Sequence, residues 1–95
     1  MLYSSPDVLE QEITETIVKE EDVKQLVLYN DDVNTFDFVT ESLIKVCGHD
    51  LLQAEQCTYL VHYTGLCAVK NGSFKKLRPM CEALLDRGLT AKIED

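Results

Sequence analysis

The apolar positions of this chain change period several times, and each change predicts an element. Leu26, Val27, Leu28 and Tyr29 form a short aliphatic and aromatic run between polar neighbours, the pattern of a strand buried on at least one face. The run stops at Asn30-Asp31-Asp32. Phe36, Val39, Leu43, Val46 and Cys47 then recur at helical spacing, and Asn34 followed three residues later by Asp37 has the spacing of a capping box. A helix is expected from about Thr35 to Cys47, closed by Gly48. Asp50 and Gln53 repeat the capping pattern, and Leu51, Ala54, Cys57, Thr58 and Val61 share one helical face before Gly65. His62 falls in the last turn of this second helix.

Leu66 to Lys70 predicts a second strand, and Asn71-Gly72-Ser73 a turn whose serine caps a third helix. That helix is expected to carry Leu77, Met80, Cys81, Leu84 and Leu85 inward and to end at Gly88. Pro79 lacks an N–H and crowds the turn before it, so a kink is expected near Lys75. Leu89 to Ile93 supplies a closing strand. The expected order is β-α-α-β-α-β, a two-layer α+β domain over residues 23–95 with a three-stranded sheet covered by three helices. Residues 1–22 mix Ser, Pro, Glu and Asp and are expected to form a flexible acidic extension, in which only the alternation over residues 13–18 could pair as an edge strand.

Charge narrows the choice of partner. The chain carries a formal charge of −8, and residues 1–24 hold seven acids against two lysines. Nucleic-acid backbones want the opposite balance, so protein or peptide partners are expected. No apolar run approaches the ~20 residues of a membrane span, and the start lacks the basic and apolar regions of a signal peptide. A soluble, cytoplasmic monomer is expected. Cys47, Cys57, Cys67 and Cys81 are widely spaced among apolar neighbours, which suits buried, reduced thiols better than disulfides or a zinc knuckle.

The adjacent carboxylates Asp31 and Asp32 are locally unbalanced, with no Lys or Arg between Lys24 and Lys45. By itself Asn30-Asp31-Asp32 suits a strand-to-helix turn, since Asn and Asp bond their own backbone. A calcium loop starting at Asp32 fails, with Phe36 and Leu43 where oxygen ligands belong. His49 and His62 lack the spacing of a metal site, and no metal or other cofactor is expected. Cys57 and His62 are five residues apart, a helical offset that does not bring a nucleophile to its base. Without a phosphate loop or nucleophile elbow, catalysis is not expected. Taken alone, His62 on a half-apolar helix suits a structural histidine better than a ligand.

From Leu26 to about Leu85 the chain resembles ClpS, the adaptor family of the bacterial N-degron pathway. The resemblance rests on the strand entering Asn30-Asp31-Asp32, on Phe36-Asp37-Phe38-Val39, on Leu43, Gly48 and Asp50, and on Val61-His62-Tyr63 before Gly65. It implies a non-catalytic adaptor that captures proteins by their first residue and delivers them to a ClpA- or ClpC-like AAA+ unfoldase. Asn30, Asp32 and His62 would hold the α-amino group, with Asp31 supporting the loop or touching the ligand. Leu28, Asn34, Phe36, Val39, Thr58 and Val61 would line a pocket for a large hydrophobic first side chain. Phe36 stands where the family has a gating Met, Thr58 where it has an apolar Met, and Lys75 where it commonly has an acid facing the unfoldase. The rival expectation is a non-enzymatic interaction module of the same fold, akin to the C-terminal domain of the ribosomal stalk protein, with a different partner.

Overall fold

Leu26, Val27 and Leu28 are all buried because their strand, β1 (Val23–Tyr29), is the central one of three. The computed structural model describes residues 22–95. The expected extension, including the alternation over residues 13–18, lies outside the described residues apart from Asp22. After β1 come α1 (Phe36–Cys47), α2 (Leu51–Thr64), β2 (Leu66–Ser73), α3 (Phe74–Asp86) and β3 (Thr90–Glu94), in the expected order. The sheet order is β2-β1-β3, with both edge strands antiparallel to β1. Leu26 and Leu28 join Val39, Leu43, Ala54, Val61, Leu77 and Leu84 in one core under the helices, which makes a two-layer α+β fold.

Local chemistry explains the boundaries. Asp50 accepts the Gln53 N–H and Ser73 the Lys76 N–H, so both residues cap their helices as expected. At α1 the cap is Thr35, whose Oγ1 accepts the Phe38 N–H at 3.1 Å; the expected cap, Asn34, is engaged elsewhere. Asn71, Gly72 and Ser73 are not a turn but the end of β2, paired with Gln25, Lys24 and Val23. The backbone groups of that part of β1 need partners, and ladder bonds supply them where local turn propensity alone would not. The ladder skips Val69 between Leu26↔Lys70 and Val27↔Ala68, a bulge whose carbonyl accepts from His49 Nε2 at 2.7 Å.

Helix α3 continues through Pro79, which stands on the exposed side where water can satisfy the carbonyl one turn back. It ends at Asp86, two residues before Gly88. Gly88 adopts φ +87°, and the Gly88 and Leu89 N–H groups bond the Leu85 and Leu84 carbonyls at 2.9 and 3.0 Å. These are the two bonds of a Schellman motif, which turns Leu89 back to pack with Leu84. Arg87 fastens the same corner to α1: its guanidinium donates to Ser42 Oγ at 2.8 Å and Glu41 Oε1 at 3.0 Å and lies over the Phe38 ring.

Leu51 and Leu85, both expected to face inward, are exposed. Helix α2 is apolar on every side, with Leu52, Tyr59, Leu60 and Tyr63 also in solvent, so its period does not reveal that the buried row is Ala54, Thr58 and Val61. In α3 the buried row is Leu77, Cys81 and Leu84, which leaves Leu85 beyond the contact. All four cysteines are free thiols, buried except for half-buried Cys57.

Candidate functional site

Where β1 ends, the Asn30 N–H donates to the Gly65 carbonyl at 2.9 Å. Gly65 can receive it because α2 closes there in the left-handed region, φ +99°, with its own N–H on Val61 O. One backbone bond thus places the acidic loop beside the last turn of α2, which carries His62.

Within the loop Asp31 is the organiser. Its Oδ1 accepts the Val33 and Asn34 N–H groups and its Oδ2 the Asn34 side-chain amide, each at 2.9 Å. Burial alone would push the Asp31 carboxyl up, but the Asn34 amide, the Asn34 side chain and the Val33 amide together hold it below its ordinary value. The second hydrogen of the Asn34 amide goes to the Gly88 carbonyl, also at 2.9 Å. Asn34 therefore ties the loop after β1 to the corner before β3.

Between these pieces lies a cavity of about 10 Å³, room for about one water molecule. Its rim is polar and partly solvated: Asn30, Asp31, Asn34 and His62. Its walls are Leu28, Val39 and Val61, all buried. Thr58, 0% exposed, forms the floor. The Thr58 hydroxyl donates to Ala54 O at 2.8 Å and accepts from the Thr40 hydroxyl at 3.0 Å. No lysine or arginine lines the cavity.

Eight of the ten residues singled out in the sequence line this one cavity. The other two do not. Asp32 is exposed in the loop, and among the described residues no hydrogen bond engages its carboxylate. Phe36 sits just outside, its ring edge-on to His62 with centroids 6.0 Å apart. It borders a separate open groove of about 480 Å³ with Tyr59 and Leu60. Leu89 and Tyr29 also line the cavity and were not singled out. The signal for Leu89 was present in Gly88, because a Schellman corner folds the following apolar residue inward.

The arrangement offers hydrogen-bond acceptors above an apolar shaft, which suits an ammonium group carrying an apolar side chain. Among the described residues no three His, Cys, Asp or Glu side chains gather as a metal site requires. No helix there is long and apolar enough to cross a membrane.

Comparison with known proteins gives a consistent result. The family described as "ATP-dependent Clp protease adaptor protein ClpS" matches residues 19–92. ATP-dependent Clp protease adapter proteins ClpS from Campylobacter jejuni subsp. jejuni strain 81-176 and from C. jejuni subsp. doylei are each 30% identical over 91 residues, covering 90% of this chain and 95% of theirs. Among solved structures, Agrobacterium tumefaciens ClpS2 bound to L-phenylalaninamide superposes with a TM-score of 0.65 at 20% identity, covering 77% of this chain and 95% of that one.

Proposed function

Because the chain belongs to the ClpS family of Clp protease adaptors, we propose that it captures proteins by a free α-amino group and a large hydrophobic first side chain and delivers them to a ClpA- or ClpC-like AAA+ unfoldase. The observation that carries this reading is the polar rim of Asn30, Asp31, Asn34 and His62 above a shaft walled by Leu28, Val39 and Val61. An α-ammonium presents three donors, and the rim supplies an amide oxygen, an imidazole nitrogen and carboxylate charge. Asp31 is committed to the loop, so Asp32, whose charge is not engaged, is the carboxylate that meets the amine as it arrives. His62 serves as an acceptor only while its imidazole is neutral.

The side chain enters the shaft below, where burying it contributes ~1.5–3 kcal/mol. Entry requires the cavity of about 10 Å³ to widen. Phe36, packed on His62 at the edge, limits how bulky the first residue is near its Cβ. The bound state of A. tumefaciens ClpS2 supports the reading, since L-phenylalaninamide has a free amine and an aromatic side chain. The adaptor binds and delivers without cutting.

A panel of labelled peptides differing only in the first residue tests this by fluorescence anisotropy. Peptides beginning with Leu, Phe, Tyr or Trp are expected to bind at least tenfold tighter than those beginning with Ser or Glu, and N-acetylation is expected to abolish binding. Equal weak binding across the panel, or indifference to acetylation, removes the reading in favour of an interaction module with a different partner.

A further inference from the structure

The floor of the cavity holds a hydrogen-bonding asymmetry that its apolar walls conceal. A threonine hydroxyl has one hydrogen and two lone pairs. The Ala54 carbonyl can only accept, so the single hydrogen of Thr58 is committed to it at 2.8 Å. The hydrogen in the 3.0 Å contact between Thr40 and Thr58 must therefore come from Thr40 and occupies one lone pair of Thr58. One lone pair of Thr58 remains, on a fully buried residue that lines the cavity. The floor is thus acceptor-only. Nothing there can donate to a guest.

Thr58 lies four residues before His62, one turn down the same helix face, about 6 Å along the axis. That is the depth an aromatic side chain spans from its backbone to its tip. A phenyl ring or an isobutyl group reaching the floor offers the remaining lone pair of Thr58 no partner, whereas a hydroxyl at the tip donates to it. Resting on the reading above that the cavity receives a first side chain, we infer that Thr58, its hydroxyl oriented by Thr40 and Ala54, makes the cavity select first residues with a hydrogen-bond donor at the tip, tyrosine over phenylalanine. Thr58 is a specificity residue that touches the guest, and Thr40 acts through it by fixing which lone pair points inward.

Two peptides identical except for Tyr or Phe at position one give the cleanest test, measured by isothermal titration with their N-acetylated forms as controls. The expected result is a preference for tyrosine of about 3- to 10-fold, the range one net hydrogen bond supplies. Thr58→Val removes the hydroxyl at nearly constant shape, and the Tyr/Phe ratio is expected to fall to about one. Thr58→Ser retains the hydroxyl and is expected to retain the preference, so a folding defect in the valine variant does not leave the question open. Equal affinity for the two peptides in the unaltered protein overturns the inference, as does an undiminished ratio in Thr58→Val. The two levels fail differently. A flat ratio with amine-dependent binding intact removes only the role of the floor, whereas no amine-dependent binding at all removes the capture reading and the floor's role with it.

Discussion

The two ends of α2 each carry a histidine, and the pair shows how the same side chain becomes structure at one end and a candidate ligand at the other. His49, just before the helix, is 4% exposed and donates Nε2–H to the carbonyl of Val69, the residue left out by the bulge in β2. Around it the chain is closed: Cys47 is buried, and Lys70 Nζ donates to the Cys47 carbonyl at 3.2 Å. His62, in the last turn, is exposed, lines the cavity rim and meets the rings of Phe36 and Tyr63. The difference lies in what the backbone nearby still lacks. At the His49 end a bulge leaves a carbonyl that a side chain must satisfy; at the His62 end Gly65 and Asn30 already satisfy the backbone, and among the described residues the imidazole makes no hydrogen bond.

The strongest way to break this comparison is to exchange the two effects. His62→Ala is expected to weaken binding of a Leu- or Tyr-initiated peptide by about 10- to 100-fold, the scale of a lost hydrogen bond to a charged group, with little change in melting temperature. His49→Ala is expected to do the reverse, lowering stability by about 2 kcal/mol through the unsatisfied Val69 carbonyl while leaving peptide affinity unchanged well below the melting point. Thermal melts and titrations on both variants decide it. A His49 variant with full stability and poor binding would invert the assignment.

A smaller effect sharpens the open end, where the adjacent acids divide in the same manner. Asp31→Ala removes three hydrogen bonds and is expected to lower the melting temperature by about 4–8 °C as well as affinity. Asp32→Ala is expected to lower affinity alone. The pH dependence carries a definite sign. The Asp31 carboxyl is held below its ordinary 3.8, so its stabilisation is complete above that pH and is lost as pH falls through the lower folded value. The stability gap between the unaltered protein and Asp31→Ala is therefore expected to stay constant from about pH 8 to 5 and to close only below about 4. Chemical denaturation across that range measures it. A gap that closes near neutrality would assign the charge to a different partner.

The smallest effect concerns the thiols. Burial pushes the Cys47 thiol up to about 11, with Lys70 opposing the rise, and burial together with neighbouring Cys57 pushes Cys67 to about 12. Both values lie above the ordinary 9.0, so the stabilisation is full below pH 9 and is lost as pH rises toward 11 and 12. At pH 8 iodoacetamide is expected to label half-buried Cys57 first and Cys47 and Cys67 last, as read by peptide mass spectrometry. Early labelling of Cys47 would mean that the closed end opens.

What the sequence disclosed follows the same division. Element order and the caps at Asp50 and Ser73 were legible because they depend on neighbours in sequence. Thr35 replaced Asn34 as a cap because Asn34 is drawn to Gly88, 54 residues away, a demand no local pattern records. Residues 71–73 carry turn chemistry yet pair with β1, and Leu51 shares the expected helical face yet is exposed, because tertiary packing selects among faces that periodicity leaves equal. Eight of ten candidate residues meet at the cavity since their motifs flank the ends of β1 and α2. Asp32 and Phe36 fall outside it, because loop and helix direction decide which neighbour of a lining residue faces in. Leu89 went unremarked as a lining residue because it belongs to the opposite end of the sequence.

The bond from Asn34 to Gly88 also bears on when the cavity comes into being. It joins residues 54 apart, and the Leu89 wall is set only once β3 has docked on the far side of β1. Such distant pairings lag behind local helices during folding. A nascent chain still lacking β3 would have α1 and α2 to show but neither the Asn34–Gly88 bond nor the Leu89 wall, so the proposed capture site would stay unfinished until that strand had docked.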